Sequence, residues 1–274
     1  MKKHGTTVIL LIVLIAGLSL LLYPTFSDWW NSMHQSRAVA SYVEQVAKID
    51  EEQYVHLWQE AWDYNKSLSD RPNDYVLTEE QKAQYNQILD IGGLGIMGYI
   101  EVPAIGVTLP VYHGTDEAVL QIAVGHLEWT SLPVGGESSH CVISGHRGLP
   151  SARLFTDLDK LVEGDLFIFR VLDEILTYEV DQILIVEPHE IDALEIQKGE
   201  DLCTLITCTP YGGNSHPLLV RGHRVENQEE AQTIRVTADA MQIEPIIVAP
   251  ILAIPMLLVL LIVLLIPKSR KRRF

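Results

Sequence analysis

The sequence predicts a mainly β protein in which a small barrel follows a helical region and apolar segments lie at both ends of the chain. Between residues 92 and 225, short β-branched or aromatic segments alternate with Gly, Pro, Asn and Asp. At least seven such segments fit into about 130 residues, which is typical of a small closed barrel or a sandwich. The preceding region has helical periodicity, and the longest apolar runs lie near the termini.

The first apolar run, residues 8–22, follows Lys2 and Lys3 and contains no charge. Its 15 residues fit either a membrane anchor or the apolar part of a cleaved signal peptide. No small-residue cleavage site follows it, and Trp29 and Trp30 are of the kind that lie at a membrane interface. These observations favour an uncleaved anchor within residues 1–23.

The second apolar run, residues 246–266, is long enough to span a bilayer and is followed by a basic tail, residues 267–274. Because Lys and Arg flank both runs on their outer sides, the positive-inside rule places both termini in the cytoplasm. We therefore expect the barrel outside the cell membrane, with residues 226–245 linking it to the second span.

The charge distribution limits the classes of partner. The chain has a net charge of −16, yet seven of its 20 Lys and Arg and none of its 36 Asp and Glu lie in the two tails. The remaining portion, with 13 basic and 36 acidic residues, carries −23. So acidic a portion argues against nucleic acid and against anionic lipid as ligands of the domain itself.

Residues 24–91 are predicted to be helical. Apolar residues recur at spacings of three and four from Arg37 to Leu68, without Pro or Gly, and residues 79–89 have the pattern of a short helix. Between them, residues 69–78 are polar and contain Pro, which indicates a loop.

The three cysteines, Cys141, Cys203 and Cys208, are an odd number, so at least one thiol is unpaired and is a candidate nucleophile. A β-branched run ends at Cys208 in TLITC, and another ends at His146 in CVISGH. Both residues are therefore expected at strand ends beside loops that a substrate can reach. A cysteine enzyme needs a thiolate and an acid for the leaving amine, and a Cys–His pair supplies both.

Three segments resemble the core of the class C sortases: GIMGYIEVPAIGVTLPVYHGT, GHLEWTSLPVGGESSHCVISGHRGLPSARLFTDLDKLVEGD and TLITCTPYGGNSHPLLVRGHR. The resemblance covers about residues 92–225, and the helices and membrane segments also match that class. It implies a closed, eight-stranded sortase β-barrel. It also implies that Cys208 is the nucleophile that forms an acyl-thioester and that His146 is the general acid and base.

The other histidines and cysteines of the barrel are predicted to be structural. His113, His126 and His140 lack a match to the catalytic segment, so we interpret them as structural or surface residues. Strand alternation points Cys203 to the face opposite Cys208, which makes Cys203 a core residue. The same argument places Cys141 opposite His146.

One departure from the family pattern concerns the arginine that stabilises the oxyanion, which falls nine residues after the cysteine. This chain has Pro217 there, and Arg221 shares its strand face about 13 Å further along, at roughly 3.3 Å per residue. We take Arg221 as the candidate catalytic arginine. Arg224, Arg147 and backbone N–H groups near Thr209 are the alternatives.

A second departure concerns the lid, which in class C sortases carries an Asp-Pro-aromatic triplet. In the loop at residues 69–78, Asp74 is followed directly by Tyr75 without an intervening Pro. A degenerate lid formed by these two residues, a lost lid and a simple solvated linker are the three interpretations.

Three functions remain open. The first is a pilin-polymerising transpeptidase that cleaves an LPxTG-like sorting signal after Thr and transfers the acyl group to a Lys amine of another pilin subunit. The second is a sortase that attaches surface proteins to a cell-wall precursor, and the third is a membrane-held, non-catalytic binding protein. The resemblance favours the first, through the C-terminal membrane segment, the preceding helices and the strings GIMGYI and GHRGLPSA. No metal and no cofactor are expected.

Overall fold

The computed structural model describes residues 2–69 and 76–227. Two long helices and one short helix precede the barrel, and a further short helix lies between its second and third strands: α1 Lys2–Val46, α2 Glu51–Ser69, α3 Glu79–Tyr85 and α4 Glu117–Leu120. Eight strands follow: β1 Ile96–Val102, β2 Val107–His113, β3 Val124–His126, β4 Ser139–Ser144, β5 Leu166–Val171, β6 Glu174–Ile185, β7 Asp201–Thr209 and β8 His216–Val225.

The strands form a closed barrel in the order β1-β2-β3-β4-β7-β8-β6-β5, with β5 pairing β1 to complete the ring. The pairs β2–β3 and β4–β7 are parallel, and the other six pairs are antiparallel. The predicted mainly β fold with a closed barrel of about eight strands is therefore confirmed. Closure leaves no unpaired strand edge, which is how a small all-β domain avoids edge-to-edge association.

The barrel buries apolar residues on two faces of the β4, β7 and β8 sheet. Cys203 and Leu205 of β7 point into the main core, as alternate residues of a strand do. Their neighbour Ile206 packs on the outer face against Val142 and Leu219, where loop residues including Trp129 cover it. By the same two-residue period, Cys208 lies on this outer face.

Helix α1 is continuous from the apolar N-terminal run to the barrel. Its segment Ile9–Val46 is long and apolar enough to cross a membrane, with a mean hydropathy of 2.5 over its most apolar window and none of that window buried. This apolar helix fits the predicted membrane anchor. The predicted linker, second membrane span and basic tail, residues 228–274, lie outside the described residues.

The prediction of one helix from Arg37 to Leu68 was wrong in one respect, because α1 ends at Val46 and α2 begins only at Glu51. Helix α2 begins after Asp50, whose carboxylate accepts a hydrogen bond of 2.8 Å from the Gln53 N–H, as an N-cap residue does. Glu51 and Glu52 then place negative charge in the first turn of α2, which favours a helix start.

Helix α2 attaches to the barrel through Asn65, which is buried. The Asn65 side chain donates to the Leu132 carbonyl at 3.1 Å and accepts from the Leu132 N–H at 2.7 Å. Both Leu132 backbone groups belong to a fully buried residue between β3 and β4. The amide of Asn65 thus replaces a strand partner for this segment.

We expect Asn65→Ala to lower the free energy of unfolding by about 1–3 kcal/mol, because it leaves the buried Leu132 N–H without a partner and leaves the Leu132 carbonyl with only the Val134 N–H. Urea denaturation of the full chain in detergent measures this change. Gln59→Ala, on the exposed side of the same helix, is the matched control and should leave stability unchanged. Equal stabilities for the two variants would contradict the role of Asn65.

Candidate active site

The parallel pairing of β4 with β7 brings the two predicted catalytic residues to neighbouring strand ends. Ser144 pairs with Ile206, the Gly145 N–H donates to the Ile206 carbonyl at 3.0 Å, and the Thr207 hydroxyl donates to the Gly145 carbonyl at 2.8 Å. The residues that follow Gly145 and Thr207 are His146 and Cys208. Neighbouring strands lie about 4.8 Å apart, so this register places the two residues side by side.

Gly145 permits the close packing that fixes the His146 backbone. A Cβ atom at this position would lie 2.7 Å from the Phe155 ring and 2.8 Å from Val124, closer than such atoms approach. The Phe155 N–H donates to the His146 carbonyl at 3.2 Å, so the loop folds back over the strand end. The glycine therefore allows the loop after β4 to close against Phe155.

Both reactive side chains are accessible. Cys208 is a free cysteine and is partly exposed as a residue, and it pairs with Pro217 on β8. The His146 side chain is 34% exposed, and its Nε2 atom lies 3.8 Å from a carboxylate oxygen of Glu117 on α4. The sequence reasoning missed Glu117, because no local pattern links a residue of α4 to His146.

Arg147 joins the His146 loop to the strand end that carries Cys208. Its guanidinium donates to the Thr209 hydroxyl at 3.3 Å, pairs with Asp159 and lies over the Tyr211 ring at 5.8 Å. Its Nε atom is buried and has no hydrogen-bond partner among the described residues. The arrangement makes Arg147 a cross-link between the two halves of the site.

The structure places Arg221 on the same strand face as Cys208 but four register positions away, opposite Thr204. Its guanidinium makes two hydrogen bonds of 3.0 Å to the two carboxylate oxygens of Asp181 on β6. Arg224 donates to the Ile175 carbonyl at 3.1 Å. The catalytic role of Arg221 stays a prediction. Because Arg221 is paired with Asp181, a test of that role must separate the loss of the arginine from the loss of the ion pair.

The other cysteines and histidines lie where their predicted structural roles require. Cys141 and Cys203 are register partners on β4 and β7, and both are buried. His126 contacts the Tyr85 hydroxyl at 2.9 Å and the Ser131 carbonyl at 2.8 Å. His140 is equally buried, and burial lowers its pKa, which favours the neutral imidazole.

The candidate lid residues Asp74 and Tyr75 lie outside the described residues. Within residues 2–69 and 76–227, no group of three or more His, Cys, Asp or Glu side chains is placed to hold a metal ion.

Comparison with known proteins identifies the barrel. A family model for the Sortase domain matches residues 100–225. Sortase D of Bacillus subtilis (strain 168) is 30% identical over 131 residues, which cover 47% of this chain and 63% of that protein. Sortase A of Staphylococcus aureus is 32% identical over 120 residues, which cover 42% and 56% of the two chains. The match thus spans a little over half the length of these curated relatives.

Solved structures are similar over a longer stretch. Sortase C1 of Streptococcus agalactiae is 50% identical with a TM-score of 0.69, covering 70% of this chain and 100% of that one. Sortase C of Streptococcus pneumoniae is 43% identical with a TM-score of 0.64, covering 70% and 97%. A closed mixed barrel with a thiol and an imidazole on adjacent strand ends defines a β-barrel cysteine enzyme. The chain belongs to the sortase family, and these structural neighbours are sortases of class C.

Proposed function

We propose that this chain polymerises pilins by transpeptidation, with Cys208 as nucleophile and His146 as general acid and base. The observation that carries the proposal is the β4–β7 register, which sets these two residues side by side on the barrel. The structure of Streptococcus pneumoniae sortase C has been discussed in terms of pilin substrate specificity. A pilin substrate for this chain rests on its similarity to that protein and to sortase C1.

Acylation begins when the Cys208 thiolate attacks the Thr carbonyl carbon of an LPxTG-like sorting signal. The tetrahedral intermediate collapses with cleavage of the peptide C–N bond, and His146 donates a proton to the leaving amine. The product is a thioester between the pilin and Cys208. Cys208 and the His146 side chain are both partly exposed, which is consistent with access for a polypeptide.

Transfer reverses the proton movement. A Lys amine of another pilin subunit attacks the thioester carbonyl, His146 accepts the proton, and the Cys208 thiolate leaves. No oxidant, metal or cofactor enters the balance. A cell-wall precursor amine as acceptor would give the alternative anchoring reaction, and the identity of the acceptor in the product distinguishes the two.

The membrane is the second expected partner. Helix α1 holds the barrel at the bilayer, and the basic residues at both termini favour cytoplasmic ends with the barrel outside. Labelling of intact cells with a membrane-impermeant thiol reagent, at a cysteine introduced on the barrel surface, tests this orientation. Labelling only after lysis would contradict it.

We expect Cys208→Ala to abolish the thioester adduct formed with a sorting-signal peptide, because it removes the nucleophile. We expect His146→Ala to lower the acylation rate by about a hundredfold to ten-thousandfold. Mass spectrometry of the intact chain measures the adduct. Cys203→Ala is the matched control, since its thiol lies in the core and should not be acylated. A peptide adduct on the Cys208→Ala protein would refute the assignment and favour another nucleophile.

The oxyanion donor is tested by a second pair of variants. A guanidinium at position 217 would lie opposite Cys208, so Pro217→Arg should raise the acylation rate by about a hundredfold to a thousandfold if the site lacks a donor. If Arg221 supplies it, Arg221→Ala should lower the rate by a similar factor, and Asp181→Ala should not. Equal losses for Arg221→Ala and Asp181→Ala would show that the ion pair acts structurally and that Arg221 is not the donor.

A further inference from the structure

Three polar side chains on one face of α1, Asp28, Asn31 and Gln35, contact barrel loops, in addition to the buried Tyr42, whose hydroxyl bonds barrel backbone groups further along the helix. The Asp28 carboxylate accepts a hydrogen bond of 2.7 Å from the Arg153 N–H. The Asn31 side-chain amide donates to the Ser151 carbonyl at 2.7 Å, and that of Gln35 donates to the Ile122 carbonyl at 2.7 Å. The spacings of three and four residues place all three side chains on the same side of the helix.

The backbone groups that α1 binds belong to the two segments beside His146. Ser151 and Arg153 lie in the loop between β4 and β5, five and seven residues after His146. Ile122 follows α4, whose Glu117 carboxylate lies 3.8 Å from His146 Nε2. One helix therefore binds both the loop that carries the imidazole and the segment that faces it.

These contacts add to the packing that the barrel already gives the loop, whose Ala152, Leu154 and Phe155 are buried in the core. Between the end of β4 and the start of β5, the loop has a single short 3-10 turn and no strand pairing. Its residues 151–153 are hydrogen-bonded to α1 at one carbonyl and one N–H, and both bonds come from side chains of fixed helical position. An anchored helix thereby limits the positions that the loop after His146 can adopt.

The same turns of α1 carry the aromatic residues that mark a membrane boundary. Phe26, Trp29 and Trp30 are 61%, 39% and 50% exposed and neighbour Asp28 and Asn31 in the helix. From Ile9 to Phe26 the helix rises about 27 Å, close to the roughly 30 Å of a bilayer's hydrocarbon core. A span over this segment puts Asp28 and Asn31 at the lipid headgroups.

We propose that the juxtamembrane segment of α1 is part of the active-site scaffold, in which Asp28 and Asn31 are positioning residues that hold the His146 loop at the membrane surface. We call the hydrogen bonds of Asp28 and Asn31 to this loop the tether. The effect on catalysis rests on the proposed function, whereas the tether does not. The anchor thus has a second task besides retention: it sets the geometry of the imidazole.

The test uses the full chain in lipid nanodiscs and four variants. They separate the loss of a hydrogen-bonding group from a change in side-chain size. Asp28→Ala and Asn31→Ala remove the tether. Asp28→Asn keeps an oxygen that accepts from the Arg153 N–H, so it should behave like the unchanged chain. Asn31→Asp replaces the donor with a carboxylate facing the Ser151 carbonyl, so it should behave like the Ala variant. Gln59→Ala, on the exposed face of α2, is the control.

Hydrogen exchange at residues 148–157 reads the tether directly. We expect exchange at the Arg153 amide to rise on the order of tenfold in Asp28→Ala and not in Asp28→Asn. For acylation by a sorting-signal peptide, we expect kcat to fall about tenfold to a hundredfold in both Ala variants with KM unchanged.

The two readouts separate the possible failures. Unchanged exchange in Asp28→Ala would overturn the tether, and faster exchange with unchanged kcat would overturn the positioning role. If the unaltered chain formed no adduct while exchange still rose in Asp28→Ala, the proposed function would fail and the tether would stand. A kcat loss shared by the Gln59→Ala control would show a general loss of folding and overturn the specific role.

Discussion

The parallel pairing of β4 with β7 is the constraint on which the rest of the site depends. Cys208 and His146 are 62 residues apart, and only this register brings them to adjacent strand ends. Parallel neighbours need a long crossover, and here β5 and β6 provide it while closing the barrel on β1. The closed ring thus fixes the two strand ends relative to each other, and Gly145 lets the loop after β4 pack against Phe155.

The position of Pro217 follows from the same barrel. It is the second residue of β8, where a strand tolerates proline because few ladder bonds have yet formed. Opposite it lies Cys208, so a substitution here acts directly beside the thiol. Arg221 lies deeper along the strand, where Asp181 compensates its charge. A proline therefore lies opposite Cys208, while the arginine on the same strand face is ion-paired further along β8.

Much of the fold could be predicted from the sequence, because strand alternation and turn residues are local signals. These signals predicted the barrel region and the core positions of Cys141 and Cys203. The segments around His146 and Cys208 carried the family resemblance. The Arg221–Asp181 pair and the bonds of Asp28 and Asn31 to the β4–β5 loop depend on register and helix docking between distant residues, which no local pattern reports. The break before α2 did have a local signal, since Asp50 is an N-cap residue followed by two acidic residues.

The adjacency of His146 and Cys208 is tested most directly by cross-linking. In a Cys141→Ala, Cys203→Ala background, His146→Cys places a thiol on the strand end next to β7. Parallel neighbours have Cα atoms at about 5 Å, within the range that a disulfide bridges, so mild oxidation should join the introduced thiol to Cys208 in most molecules. Leu149→Cys, further along the same loop, is the matched control and should cross-link poorly. Failure of His146→Cys to cross-link in a folded protein, or equal cross-linking of both variants, would contradict the register on which the account rests.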